Sequence, residues 1–161
     1  MTATETSDDI GIRRHQPGDR PRLVELLELS MLETYPDLKP FTRSVLRTRV
    51  EAEFAQYYAL EEKEIWVAEV AGQVAGCLWV MESFHPVTEI PDLFVVNIAV
   101  YPQFQGRGLA RRLFAEATNH AHRLGITRLR LFVNPVNQSA YSLYLKLGFE
   151  PQTHEMRLLL P

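Results

Sequence analysis

The sequence predicts a mixed α/β domain, with hairpin-type strands in its first half and a parallel crossover in its second. Three observations predict it: two β-like runs either side of Ala71-Gly72-Gln73, an apolar segment from Leu93 to Val100, and a long amphipathic run that begins at Leu109.

With 161 residues, 46% hydrophobic and 23% charged, the chain has the size and apolar content of one globular domain. That domain is expected over residues 9–161, behind a frayed polar tail at 1–8. Ile10 and Ile12 suggest a first strand, ended by Pro17 and Gly18. Leu23, Leu26, Leu27 and Met31 then repeat at helical spacing, and Tyr35, Pro36 and Pro40 stop the run. A second helix is expected from a cap at Thr42 or Ser44, with Val45, Leu46, Val50, Phe54 and Tyr57 as its apolar stripe.

The runs Ile65 to Val70 and Val74 to Met81 read as a hairpin, antiparallel by construction. Leu93 to Val100 is apolar except at Asn97, as in a strand covered on both faces. Leu109, Leu113, Phe114, Ala117, Ala121 and Leu124 predict a helix closed by Gly125. Leu129, Leu131 and Val133 alternate with arginines as a further strand, Asn137 can cap a short helix ending at Gly148, and Met156 to Leu160 reads as a last strand.

The formal charge of −3 and a pI near 6.0 supply no basic field for phosphate neutralisation, so nucleic acid is not an expected partner. Met1 to Asp9 contain no basic run followed by an apolar one, so neither a signal nor a transit peptide is expected. No apolar stretch reaches the roughly 20 residues of a membrane span. A single cysteine, Cys77, excludes an internal disulfide and a thiolate zinc site and reads as a small buried hydrophobe. A cytoplasmic setting without a metal is the expectation.

The stretch Gln103-Phe104-Gln105-Gly106-Arg107-Gly108 joins a buried strand to the start of the long helix, where backbone N–H groups lack partners. Such an end attracts anions, at about 0.3–1 kcal/mol per favourable charge. Arg107, Arg111 and Arg112 crowd the positive end of the helix dipole, which points to an anionic ligand. A Gly-x-Gly also serves plain strand-to-helix turns. The dinucleotide fingerprint fails, because Arg111 stands where a small residue is needed, and no Gly-Lys-Ser/Thr follows.

Val100-Tyr101-Pro102-Gln103-Phe104-Gln105-Gly106-Arg107-Gly108-Leu109-Ala110 resembles the acyl-CoA signature of the GNAT N-acetyltransferase superfamily, Gln/Arg-x-x-Gly-x-Gly/Ala. Asn137-Gln138-Ser139-Ala140 with Tyr144 and Leu147-Gly148-Phe149 resembles its second signature. The resemblance covers residues 10 to 160, and strongly 94 to 149. It implies a fold of six or seven mostly antiparallel strands with a splayed parallel pair, four helices, and acetyl-CoA as co-substrate. By position, Ile98, Ala99 and Val100 would pair with the pantetheine arm. Residues 103 to 110 (Gln103, Phe104, Gln105, Gly106, Arg107, Gly108, Leu109, Ala110) would hold the pyrophosphate. Asn137 and Ala140 would flank the arm, Asn137 serving equally as a helix cap.

In that reading an amine attacks the thioester directly, main-chain N–H groups near Ile98 and Ala99 meet the oxyanion, and Tyr144 protonates the departing sulfur. Packing is the alternative role of Tyr144. Some family members carry a glutamate where this chain has Asn97, so the base is sought in Glu82 and His85, just after the third strand. The acceptor pocket would draw on Glu33, Tyr35, Tyr57 and Tyr58. The expected partner is a small-molecule amine or a protein or peptide amine, not a membrane, and a homodimer stays open. A catalytically silent acyl-CoA sensor of the same fold is the alternative.

Overall fold

The computed structural model describes residues 9–35, 43–61, 63–156, 158 and 160. Residues 1–8 and Thr42 lie outside the described residues. The element order is β1 (Ile10–Arg14), α1 (Arg20–Thr34), α2 (Arg43–Tyr58), β2 (Lys63–Val70), β3 (Gln73–Phe84), β4 (Pro91–Val100), α3 (Leu109–Arg123), β5 (Leu129–Arg130) and α4 (Gln138–Lys146). One sheet forms in the order β1-β2-β3-β4-β5. Its first four strands are antiparallel, and β4 and β5 run parallel.

The sheet is covered on both faces. On one side α1 and α2 seat Leu23, Leu26, Val50 and Phe54 against Val67, Cys77 and Trp79. On the other, α3 and α4 seat Leu113, Ala117 and Tyr144 against Trp66, Leu78, Val80 and Val95. Each large side chain removed from water contributes about 1.5–3 kcal/mol, so the two-sided burial of β2 to β4 dominates cohesion. The expected apolar stripe of α2 splits: Leu46, Val50 and Phe54 are buried, whereas Val45 is 47% exposed.

Two local features shape β4. A Cβ on Gly76 would stand 2.7 Å from the Ala99 carbonyl oxygen, so β3 and β4 approach closely only because position 76 has no side chain. The register then shifts: Trp79 pairs with Asn97 but Val80 with Val95, leaving Val96 as a bulge. The bulge resets the alternation of faces. Leu93 and Val95 pack toward α3 and α4, as do Ile98 and Val100, while Val96 and Ala99 pack toward α1 and α2.

Three expectations change. The strand expected through Val133 pairs with β4 only at Leu129 and Arg130. Leu131 and Val133 still pack on the core, so the alternation reports a face and not a ladder. The last strand, at Met156 to Leu160, is absent among the described residues: Met156, Leu158 and Leu160 are 92%, 83% and 81% exposed and have no strand to pair with. The described sheet thus has five strands where six or seven were expected. No helix among the described residues is long and apolar enough to cross a membrane.

Candidate active site

The site begins where β5 stops. Asp92, 1% exposed, accepts from Arg130 Nε at 2.8 Å and closes the short parallel joint. Beyond it the pairing ends, and from Val95 to Val100 the β4 edge on that side has no paired strand among the described residues. A cleft of about 800 Å³ opens there, lined by Val95 to Val100 on one side and Leu131, Phe132 and Val133 on the other.

One end of the cleft is the start of α3. Gly106 and Gly108 have φ of 77° and 76°, a left-handed geometry that a side chain resists, and a Cβ at either would meet nothing within 4 Å. Gly108 is the N-cap, with no side-chain cap bond. The helix therefore presents the amides of Gly108, Leu109, Ala110 and Arg111 without intrahelical acceptors. Gln105 Nε2 donates to the Val100 carbonyl at 3.1 Å and ties the loop to the strand end. Arg111 lines the cleft, and Arg107 lies over the Phe104 ring at 5.7 Å.

Tyr144 lines the cleft and is 8% exposed. Phe114 and Phe149 hold its ring edge-on at 6.0 and 5.7 Å. Burial pushes its phenol up to about 12, so it stays protonated well beyond neutral pH. Asn137 caps α4, its Oδ1 accepting from the Ala140 amide at 3.1 Å, and both residues line the cleft.

The other end is walled by α1 and α2, through Glu33, Tyr35, Glu53 and Tyr57. Tyr101, just past β4, donates to Glu25 of α1 at 2.8 Å and anchors that wall to the end of the strand. Asn97 is buried and lines the cleft, with its amide nitrogen 4.0 Å from Cys77 Sγ.

The fold thus gathers Ile98, Ala99, Val100, Phe104, Gln105, Gly106, Gly108, Leu109, Ala110, Asn137, Ala140, Tyr144, Glu33, Tyr35 and Tyr57 around one space. It leaves others out. Gln103 lines a smaller depression beside Arg22 and Tyr101. Tyr58 stacks on Phe54 and shares a hydrogen bond with His15 at 3.0 Å. Glu82 is exposed on β3, and His85 Nδ1 accepts from the Thr88 amide at 3.2 Å within its own turn, so neither candidate base reaches the cleft.

Sequence reasoning missed Glu53. It lies three residues after Val50 and four before Tyr57, so it borders the apolar stripe of α2. A carboxylate at that spacing, i to i+4 from a tyrosine beside a buried face, is the signal that marks it. No group of three or more His, Cys, Asp or Glu among the described residues is placed to hold a metal ion.

A splayed parallel joint beside an uncapped, glycine-opened helix leaves a strand edge and main-chain amides facing one cleft, an arrangement suited to an extended anion. The model of the GNAT acetyltransferase family matches residues 24–149, and the chain belongs to that family. It is 30% identical to N-acetyltransferase 8F1 of Rattus norvegicus over 78% of this chain and 56% of that protein. It is 26% identical to mycothiol acetyltransferase of Paenarthrobacter aurescens over 88% of this chain and 43% of that protein. The chain therefore spans about half the length of the curated relatives it matches. A Clostridium acetobutylicum protein solved with acetyl-CoA and described as a predicted acetyltransferase shares the fold, with a TM-score of 0.72 and 18% identity over 93% of this chain and 96% of that one.

Proposed function

We propose that this protein moves an acetyl group from acetyl-CoA to an amine by direct attack. The observation that carries the reading is continuity: one cleft joins the uncapped start of α3, the free β4 edge, Tyr144 and the α1–α2 wall. The coenzyme supplies an activated thioester. The chain's part is to hold its diphosphate on the amides of residues 108 to 111, beside Arg111, and to lay its arm along Val95 to Val100.

Negative charge then develops on the carbonyl oxygen and on sulfur. Main-chain N–H groups near Ile98 and Ala99, two residues past the bulge, are the donors for oxygen, each worth about 2.7–4 kcal/mol in comparable sites. Tyr144 is the donor for sulfur. From a phenol at about 12 to a thiolate of ordinary pKa near 8.5, transfer is uphill by about 5 kcal/mol. Burial narrows that gap: the same desolvation pushes the Cys77 thiol to about 12 in this protein. A sulfur released into a closed cleft is a correspondingly stronger base.

The amine must arrive unprotonated. For a lysine-like amine of pKa near 10.4 this costs roughly 4.6 kcal/mol at pH 7, and for an α-amino group about 1. Asn97 cannot take a proton, which leaves Glu33 and Glu53 as the carboxylates of the cleft, acting through water. The amide at 97 also favours a second reading, a catalytically silent acyl-CoA sensor.

Thiol release from acetyl-CoA with a panel of amines, run beside a thermal shift with CoA, separates the two. Thiol release supports the enzyme. Stabilisation by CoA without release supports the sensor, and no response to CoA rejects both.

A further inference from the structure

Phe94, Arg130 and Phe132 form a stacked group on the side of the sheet that α1 and α2 occupy. Leu93 and Val95 of β4, and Leu129, Leu131 and Val133 along β5 and beyond it, pack toward α3 and α4. The alternate residues between them therefore face the other way. There the Arg130 guanidinium lies 4.8 Å from the centre of the Phe94 ring and 5.8 Å from that of Phe132, and the two rings meet edge-on at 5.5 Å. The stack is held in place by hydrogen bonds: Arg130 Nε donates to Asp92 at 2.8 Å, and Nη2 donates to Ser83 Oγ at 3.3 Å.

Paired with Asp92, the guanidinium adds a flat face to the stack but little net charge, so the surface on offer is aromatic and apolar. Phe132 is nevertheless 75% exposed, and with Phe94 it lines the same cleft as Tyr144. Tyr35, 54% exposed, lines that cleft too. Such rings gain from being covered, and a stack already fixed in place loses little freedom when a further ring settles on it. On the proposed reading the diphosphate lies past Val100, and Phe94 stands six residues back along β4, roughly 20 Å at the rise of a strand. The adenine end of the coenzyme therefore belongs to the other end of the cleft. Tyr144, between Phe114 and Phe149, fills the α3–α4 side, so the amine enters from the α1–α2 side, where the stack stands.

Resting on the acetyl-transfer reading above, we propose that the acceptor is an amine carried on an aromatic body, whose ring settles on Phe94 and Phe132 while its nitrogen reaches the thioester. The two phenylalanines are then specificity-determining residues of the acceptor site, and Arg130 is the positioning residue that holds them together. In the reaction the amine nitrogen forms a bond to the acetyl carbon as the carbon–sulfur bond breaks. The amine's proton leaves to solvent and the sulfur departs as thiol or thiolate; the ring is unchanged throughout.

The test compares 4-phenylbutylamine with n-butylamine by thiol release at saturating acetyl-CoA. A four-carbon spacer keeps the ring from changing the basicity of the amine, so the two probes differ only in the aromatic body. The native protein should favour the phenyl compound by about tenfold or more in kcat/KM, expressed mainly in KM. In Phe132→Ala that ratio should fall toward one while the melting temperature holds, because Phe132 stands mostly in water. Phe132→Tyr, which keeps a ring, should keep the ratio. Equal kcat/KM for the two amines in the native protein overturns the aromatic acceptor and leaves acetyl transfer standing, and so does a ratio that survives Phe132→Ala. Equal losses for both amines in Phe132→Ala, with weaker CoA binding by calorimetric titration, overturn it as well and assign Phe132 to the coenzyme arm. Failure of thiol release with every amine overturns both readings.

Discussion

Gly108 and Glu53 belong to different walls of one cleft and offer a ligand different means of recognition. At Gly108 the atoms on offer are main-chain amides, and the residue matters for what it lacks. At Glu53 what is on offer is a side chain, and the residue matters for what it carries. A backbone site survives most substitutions around it, because every residue but proline brings the same N–H. A side-chain site changes its ligand whenever one residue changes. On the proposed reading, the wall built of amides tolerates substitution and the wall built of side chains does not.

The sharpest way to break this comparison is Gly108→Glu. A Cβ there meets nothing within 4 Å, while the carboxylate brings a like charge to the proposed diphosphate site, so CoA affinity should fall about 10³-fold or more, roughly 4 kcal/mol. Left-handed backbone at that position adds about 1–2 kcal/mol of strain, which the fold should survive. Calorimetric titration with CoA beside a melting curve checks both, and an affinity near that of the native protein would remove the loop from the site.

Arg130→Ala tests the joint from which the cleft opens. It strands Asp92, 1% exposed, without its cation. A stability loss of about 3 kcal/mol is expected, at the low end for buried pairs because Arg130 keeps some contact with water. Denaturant unfolding measures it; a loss below half that would mean that solvent reaches Asp92.

Tyr144→Phe keeps the ring between Phe114 and Phe149 and removes only the hydroxyl. kcat should drop about 10²-fold with CoA affinity unchanged. An unaltered rate would make Tyr144 a packing residue.

Gly76→Ala probes the seam that both walls share. Its methyl would press on the Ala99 carbonyl, and about 1–3 kcal/mol of stability should be lost as β4 shifts. Weaker CoA binding should accompany the loss, whereas unchanged binding would detach the β4 edge from the coenzyme.

The smallest effect is a pH response that should not occur. The proposed role of Tyr144 is that of an acid, and burial has raised its pKa to about 12. Its active, protonated form therefore persists upward in pH, and kcat should show no fall between pH 8 and 10. A decline with a midpoint near 10 would mean that the phenol is solvated in the working complex.

Legibility followed the same division. The loop from Gln103 to Ala110 and the helix from Asn137 could be read, because glycines at a strand-to-helix junction and a capped helix are local in sequence. Glu82 and His85 were drawn in by proximity to the third strand, but where a strand end points depends on its neighbours, and here the turn at 85–90 consumes His85. Glu53 went unread because a carboxylate beside an apolar stripe is as common on a solvated helix rim as in a cleft. The alternation at Leu129, Leu131 and Val133 reported which side is buried and was silent on whether a neighbouring strand stays close enough to pair.

The order of elements as far as the helix from Asn137, the uncapped helix start and the two signatures were determined by the sequence alone, since each depends on residues within a few positions of one another. The parting of β4 from β5, the bulge at Val96 and the meeting of Glu33 with Glu53 in one space were decided by tertiary structure. Those depend on how separate helices and strands pack, and packing joins residues whose spacing along the chain carries no trace of the contact.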